Sequence, residues 1–387
     1  MDTATRARRS ALYALFALPG LAISSWVTRT PAIRDLLGAS TAEMGLVLFG
    51  LSAGSMSGIL CSGALVARLG ARPVAMAGTL GVIVSMPLIG LGGALASSPL
   101  VAAGLFLFGL GMGGGEVALN VEGAALERVV GRSVLPAAHG FFSLGTTIGA
   151  TAGIVLTAAD FSVAAHLVTV GVLGVAVFAL AIRHVPGEVG RHEKSSAPKT
   201  AQAVWKDSRL LLIGALVLAM ALAEGTANDW LPLVMVDGHG FDPALGSAIY
   251  AVFAASMTAG RFIGGFFLDR YGRAAVMRAS AIAGDAGLAL VIFVDNQVVA
   301  GSAVVLWGLG ASLGFPVALS AAGDSGPDPT ARVSLAATVG YVAFLVGPPA
   351  LGFLGDAYGL RHAMIVVLVL VAAATLLAPV VGGSKRA

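Results

Sequence analysis

The sequence predicts an all-α membrane protein of twelve transmembrane helices, built as two six-helix repeats. Three observations predict it. The 387 residues are 57% hydrophobic and only 11% charged, where a soluble domain carries about 25% charged residues, and the mean hydropathy is +0.91. The apolar residues fall into twelve runs, each of the roughly 20 residues needed to cross the hydrocarbon core. Short motifs also recur in the same order in the two halves of the chain.

The runs are 11–33, 44–67, 73–95, 99–122, 135–158 and 162–182, then 210–235, 244–268, 274–294, 298–322, 333–355 and 361–381. Fifty-three glycines suit close helix approach in lipid. The first run is too long for a cleavable signal segment and lacks a small-residue cleavage site. An even number of spans puts both termini on one side. With the N-terminus inside, 19 of the 23 basic residues fall in cytoplasmic segments, leaving Arg29, Arg34, Arg261 and Arg361. That bias predicts cytoplasmic termini in a bacterial inner membrane. The net charge of +3 therefore follows the loops and points to no nucleic-acid partner. Cys61, the single cysteine, cannot form an internal disulfide and reads as a small packed residue.

Between runs six and seven lies one long polar stretch, RHVPGEVGRHEKSSAPKTAQAVWKDSR, without apolar periodicity. It reads as a linker. The expected organisation is an N-terminal bundle at 1–183, a linker at 184–209 and a C-terminal bundle at 210–387. GALVARLGAR at 63–72 matches GFFLDRYGRA at 265–274, AGSMSG at 53–58 resembles AASMTAG at 254–260, and FGLG at 108–111 matches WGLG at 307–310. A parallel repeat of this kind predicts a substrate site near the midplane, at the repeat interface.

The loop after the second helix and its copy after the eighth resemble the major facilitator superfamily signature, G-x-x-x-D-R-x-G-R. Gly265, Asp269, Arg270, Gly272 and Arg273 match, while the first copy keeps Gly63, Arg68 and Gly70, has Ala67 in place of the acid, and places its last arginine late at Arg72. The resemblance implies a gate at the cytoplasmic helix ends, with Arg68, Asp269 and Arg270 in it and Asp269 carrying most of the latch. GLGMGGGEVALN at 109–120 further resembles the fucose-permease-like branch and its YbjJ-like bacterial relatives. That implies Glu116 as a proton carrier and Asn120 as a ligand contact. Thr30 stands before Pro31 where the branch tends to place Asp, which argues against a sugar substrate.

A carboxylate near the bilayer centre costs roughly 2.5–3.5 kcal/mol on insertion scales, so Glu116 is expected to face a bundle interior or wet cavity. Glu122, a turn and a half on, reads as interfacial. Arg29, in WVTRTPAI, is expected at the outer part of helix one, meeting substrate or pairing with Asp229 as an outer gate. In LAEGTANDW, Glu224 and Asn228 share a face at i, i+4 and form a second candidate site for proton and substrate. Trp26 and Trp230 read as belt residues or ligand stackers, and Trp230 and Trp307 are expected in the substrate cavity. Arg261 is expected to latch to an acid across the cytoplasmic gate. His139 carries a minor proton role, and Asp285 reads as a packed acid.

Gly109, Gly111 and Gly114 satisfy G-x-G-x-x-G, but no strand precedes them and they lie inside a membrane helix, so no dinucleotide site is expected. No metal, nucleophile or nucleotide motif appears, and no enzyme activity or cofactor is expected. The reading is a monomeric secondary transporter in the bilayer, proton-coupled by symport or antiport, moving a small polar or amphipathic solute by alternating access. The alternatives are a drug or metabolite exporter and a non-transporting sensor.

Overall fold

The computed structural model describes residues 2–131, 134–191, 205–326 and 329–382. Arg132, Lys385, Arg386 and residues 192–204 of the predicted linker, with Lys194 and Lys199, lie outside them. The chain divides into two compact units, Met1–Ser196 and Ala197–Ala387.

The first unit contains α1 (Thr3–Val27), α2 (Thr41–Leu69), α3 (Ala71–Ala94), α4 (Ser98–Val130), α5 (Leu135–Ala158) and α6 (Val163–Ala181). The second begins with α7 (Ser208–His239), followed by a 51-residue helix, Pro243–Phe293, that breaks at Gly272 into α8 (243–271) and α9 (273–293). It ends with α10 (Gln297–Ala311, continued by Gly314–Gly323), α11 (Pro329–Tyr358) and α12 (Leu360–Ala363 and Ile365–Leu377). Among the described residues, eleven continuous helical stretches are long and apolar enough to span a membrane, and the Gly272 break makes twelve spans. The protein is a multi-pass, all-helical membrane protein.

Local chemistry sets the helix starts. Ser40 and Glu43 form a reciprocal capping box at α2, and Asp207, Asp242 and Asn296 cap α7, α8 and α10. Both signature loops turn on a glycine in the same conformation: Gly70 has φ 91° and ψ 165°, and Gly272 has φ 77° and ψ 163°. That region excludes a Cβ, which is why the repeat keeps glycine there.

Three predicted runs are interrupted: 361–381 at Met364, and two others at a proline. Run 11–33 breaks at Thr28–Arg29 and resumes as a short helix, Thr30–Leu37. Pro31 has no N–H for the Val27 carbonyl and its ring crowds that carbonyl. Run 298–322 breaks at Ser312–Leu313, four residues before Pro316. The fourth helix runs on to Val130 rather than ending near 122, because residues beyond the hydrocarbon core need not be apolar.

In the first unit α4 packs against α2 and α3, and α1 packs against α5. These pairs meet backbone to backbone. A Cβ at Gly54 or Gly58 would strike the Phe106 or Leu110 carbonyl of α4, and one at Gly145 would strike the Ala17 carbonyl of α1. In the second unit the corresponding α7–α11 contact is made by side chains: Phe344 covers Gly225, and Val217 and Phe315 face Gly340.

Cys61 is exposed on α2, not packed as expected. Its helix has only one strongly packed face, and this residue lies off it.

Candidate functional site

Glu116 lies on an exposed part of α4, in the turn after the Gly113–Gly115 run. One turn further, Asn120 Oδ1 lies 3.1 Å from His139 Nε2 on α5. An amide oxygen only accepts, so the ring donates from Nε2. The His139 ring meets Phe16 of α1 edge-on at 4.9 Å. Three helices of the first unit therefore converge beside Glu116. Below them, outside the span, the Glu127 carboxylate accepts the Val134 and Leu135 N–H groups at 2.7 and 2.9 Å. Those bonds hold the Glu127 carboxyl below the usual range and cap α5 one turn before His139.

Glu122 faces the bundle. It is 1% exposed and bonded to Arg8 of α1 at 2.5 Å. The α4 face that carries it packs into the first unit's core, and an acid there requires a cation. Arg29 is also buried, and its Nε–H donates to His166 Nδ1 on α6 at 3.2 Å.

In the second unit, Glu224 of α7 pairs with Arg261 of α8 at 2.9 Å. The partner of Arg261 thus lies in its own unit, correcting the expectation of an acid across the gate. Arg261 Nε also reaches the Ser312 carbonyl at 3.4 Å. Pro316 leaves that carbonyl without its helical donor, so the break in α10 supplies an acceptor for the guanidinium. Asn228 Oδ1 accepts from the buried Tyr250 hydroxyl at 3.3 Å.

Trp26, Trp230 and Trp307 are fully buried, which rules out a belt position for the first two. Trp307 Nε1 donates to the Ala223 carbonyl, one residue before Glu224, at 3.1 Å, and its ring meets Phe253 edge-on. Asp229 is 6% exposed. Asp285 Oδ1 is buried without a partner among the described residues.

At the signature loops, Arg68, Asp269 and Arg270 are exposed. The signature residue that pairs within the second unit is Arg273, with Asp324 at 2.6 Å and Ser320 at 3.0 Å. The first loop instead docks on the chain after α6, the Ala71 N–H meeting the Val189 carbonyl at 2.7 Å. No cluster of His, Cys, Asp or Glu among the described residues suits a metal ion.

Sequence reasoning missed His139 as the partner of Asn120, Tyr250 as that of Asn228, and the Ser312 carbonyl. For Ser312 a signal existed in Pro316, four residues downstream.

Residues 11–334 match the family model of the Major Facilitator Superfamily. The chain belongs to that superfamily. It is a transporter, not an enzyme. An uncharacterized MFS-type transporter of Yersinia pestis is 29% identical over 93% of this chain and 92% of its own. Membrane protein MosC of Rhizobium meliloti is 26% identical over 91% of this chain and 85% of its own. Among solved structures, the nucleoside transporter NupG in a mutant form superposes with a TM-score of 0.79 at 17% identity, over 97% of this chain and 99% of that chain. The E. coli fucose:proton symporter FucP gives a TM-score of 0.64 at 17% identity, over 97% and 98%. At such identities these likenesses establish the fold alone.

Proposed function

We propose that this superfamily member is a proton-coupled secondary transporter of a small polar or amphipathic solute, acting by alternating access. It sits in the bacterial inner membrane with both termini in the cytoplasm, following the distribution of its basic residues. The observation that carries the reading is Glu116, an acid within the span with the Asn120–His139 pair one turn away. A carboxylate there can take up and release a proton, and His139 offers a second titratable group in the adjoining turn.

Glu224 is the second coupling candidate, with Arg261 as its ion-pair partner. Asn120 in the first unit, and Asn228, Trp230 and Trp307 in the second, are each proposed to contact the solute. Asp229 and the signature residues Arg68, Asp269 and Arg270 are proposed to gate it.

The test uses purified protein in liposomes with an imposed pH gradient, screened against sugars, carboxylates, nucleosides and drugs. Solute movement that follows the gradient and collapses with a protonophore supports the proposal. Solute movement indifferent to the gradient removes proton coupling. A protein that moves no solute but binds one favours the sensor.

A further inference from the structure

The first unit contains a buried cation without an acid. Arg29 and His166 are 3% and 2% exposed, and neither makes an ion pair with a carboxylate among the described residues. Arginine stays protonated in proteins, so in the Arg29–His166 bond the ring lends the Nδ1 lone pair and keeps its hydrogen on Nε2. The ring is then neutral and leaves the charge unanswered. Among the described residues, Arg29 Nη2 and His166 Nε2 are buried donors without partners, as are Thr30 Oγ1 and Trp26 Nε1 within one turn of Arg29.

The backbone adds to this. α1 breaks here, and the eight-residue helix Thr30–Leu37 begins with Arg29 at its N-cap and no side-chain cap. Its first N–H groups and the positive end of its dipole therefore lie beside the guanidinium. An uncompensated charge at such burial is costly, and buried charges are held by counterions. The space is small: α5 comes so close that a Cβ on Gly153 would strike Thr28.

We infer that Arg29 and His166 hold a small monovalent anion, a halide or a single carboxylate group, at the break in α1. The site is separate from Glu116 and does not depend on the proposed proton coupling. The anion locks the join between α1 and α6, so its release loosens the outer turn of the first unit.

The experiment is thermal unfolding of the detergent-purified protein in sulfate, which is neither a halide nor a carboxylate, with chloride or formate added at constant ionic strength. Chloride line broadening by NMR, read on the folded protein, accompanies it. The wild type is expected to show a saturable rise of about 2–4 °C and broadened chloride resonance. Chloride acting at lower concentration than formate identifies a halide; the reverse identifies a carboxylate. Arg29→Gln should lose both signals, and His166→Phe, which keeps the charge, should need roughly tenfold more anion. Should Arg29→Gln not fold, His166→Phe and the wild-type titration decide alone. A wild type that shows no saturable response overturns the inference, as does an equal response in the Arg29 variant.

Discussion

Each unit carries a glutamate followed four residues later by an asparagine inside a spanning helix, and the two turns are furnished differently. Glu116–Asn120 of α4 is joined by His139, a group that can gain or lose a proton near neutrality. Glu224–Asn228 of α7 is joined by the Arg261 guanidinium and by the Tyr250 hydroxyl. The same dipeptide spacing therefore gives a turn suited to moving a proton and a turn suited to holding a charge still. The helix packing around them differs in the same sense. α1 and α5 touch through glycine and backbone, while α7 and α11 touch through side chains that can repack.

That packing contrast predicts the largest effect. Gly145→Val in α5 would drive side-chain atoms into the Ala17 carbonyl, where no rotamer gives relief, and should cost about 3 kcal/mol or more. Gly340→Ala in α11 meets only the Val217 and Phe315 side chains and should cost about 1 kcal/mol. Thermal unfolding in detergent separates them; equal losses would end the contrast.

At the α7 entrance, Asp207 caps the helix and pairs with the buried Arg332, which holds its carboxyl below the usual range. A carboxyl depressed on folding stabilises the protein above its unfolded range, and that stabilisation is lost as pH falls through the folded value. Melting followed from pH 7 down to about pH 3 should show this loss, flattened in Asp207→Asn, which keeps a capping oxygen. An unchanged slope would detach the pair from stability.

Within the second unit, Arg261→Gln should lower stability by about 1–2 kcal/mol by leaving Glu224 without its cation. The double variant Arg261→Gln with Glu224→Gln should recover part of it. Strict additivity would mean that the pair adds nothing. The smallest change belongs to the signature loop: Asp324→Asn removes the partner of Arg273 at an exposed site and should cost under about 1 kcal/mol.

The spans were legible because membrane helices must be apolar over a fixed length, and the repeat was legible because Gly70 and Gly272 must both adopt positive φ. Helix breaks were less so, although Pro31 and Pro316 announce them. The side-chain partners were not readable. Which residue of α5 meets Asn120, or which acid of the second unit meets Arg261, depends on helix rotation, and a one-dimensional pattern leaves that angle open. Glu122 shows the same limit, since its distance along α4 gives its depth but not the face that meets Arg8.

The account rests on Glu116 as the proton carrier, and one variant tests it most directly. Glu116→Gln keeps the shape and hydrogen bonding of the side chain but cannot release a proton. In liposomes with the transported solute on both sides, this variant should exchange labelled solute at a rate near that of the wild type. Under a pH gradient it should fail to accumulate solute. If Glu116→Gln concentrates solute against its gradient as the wild type does, Glu116 is structural and coupling must lie elsewhere, with Glu224 first in line.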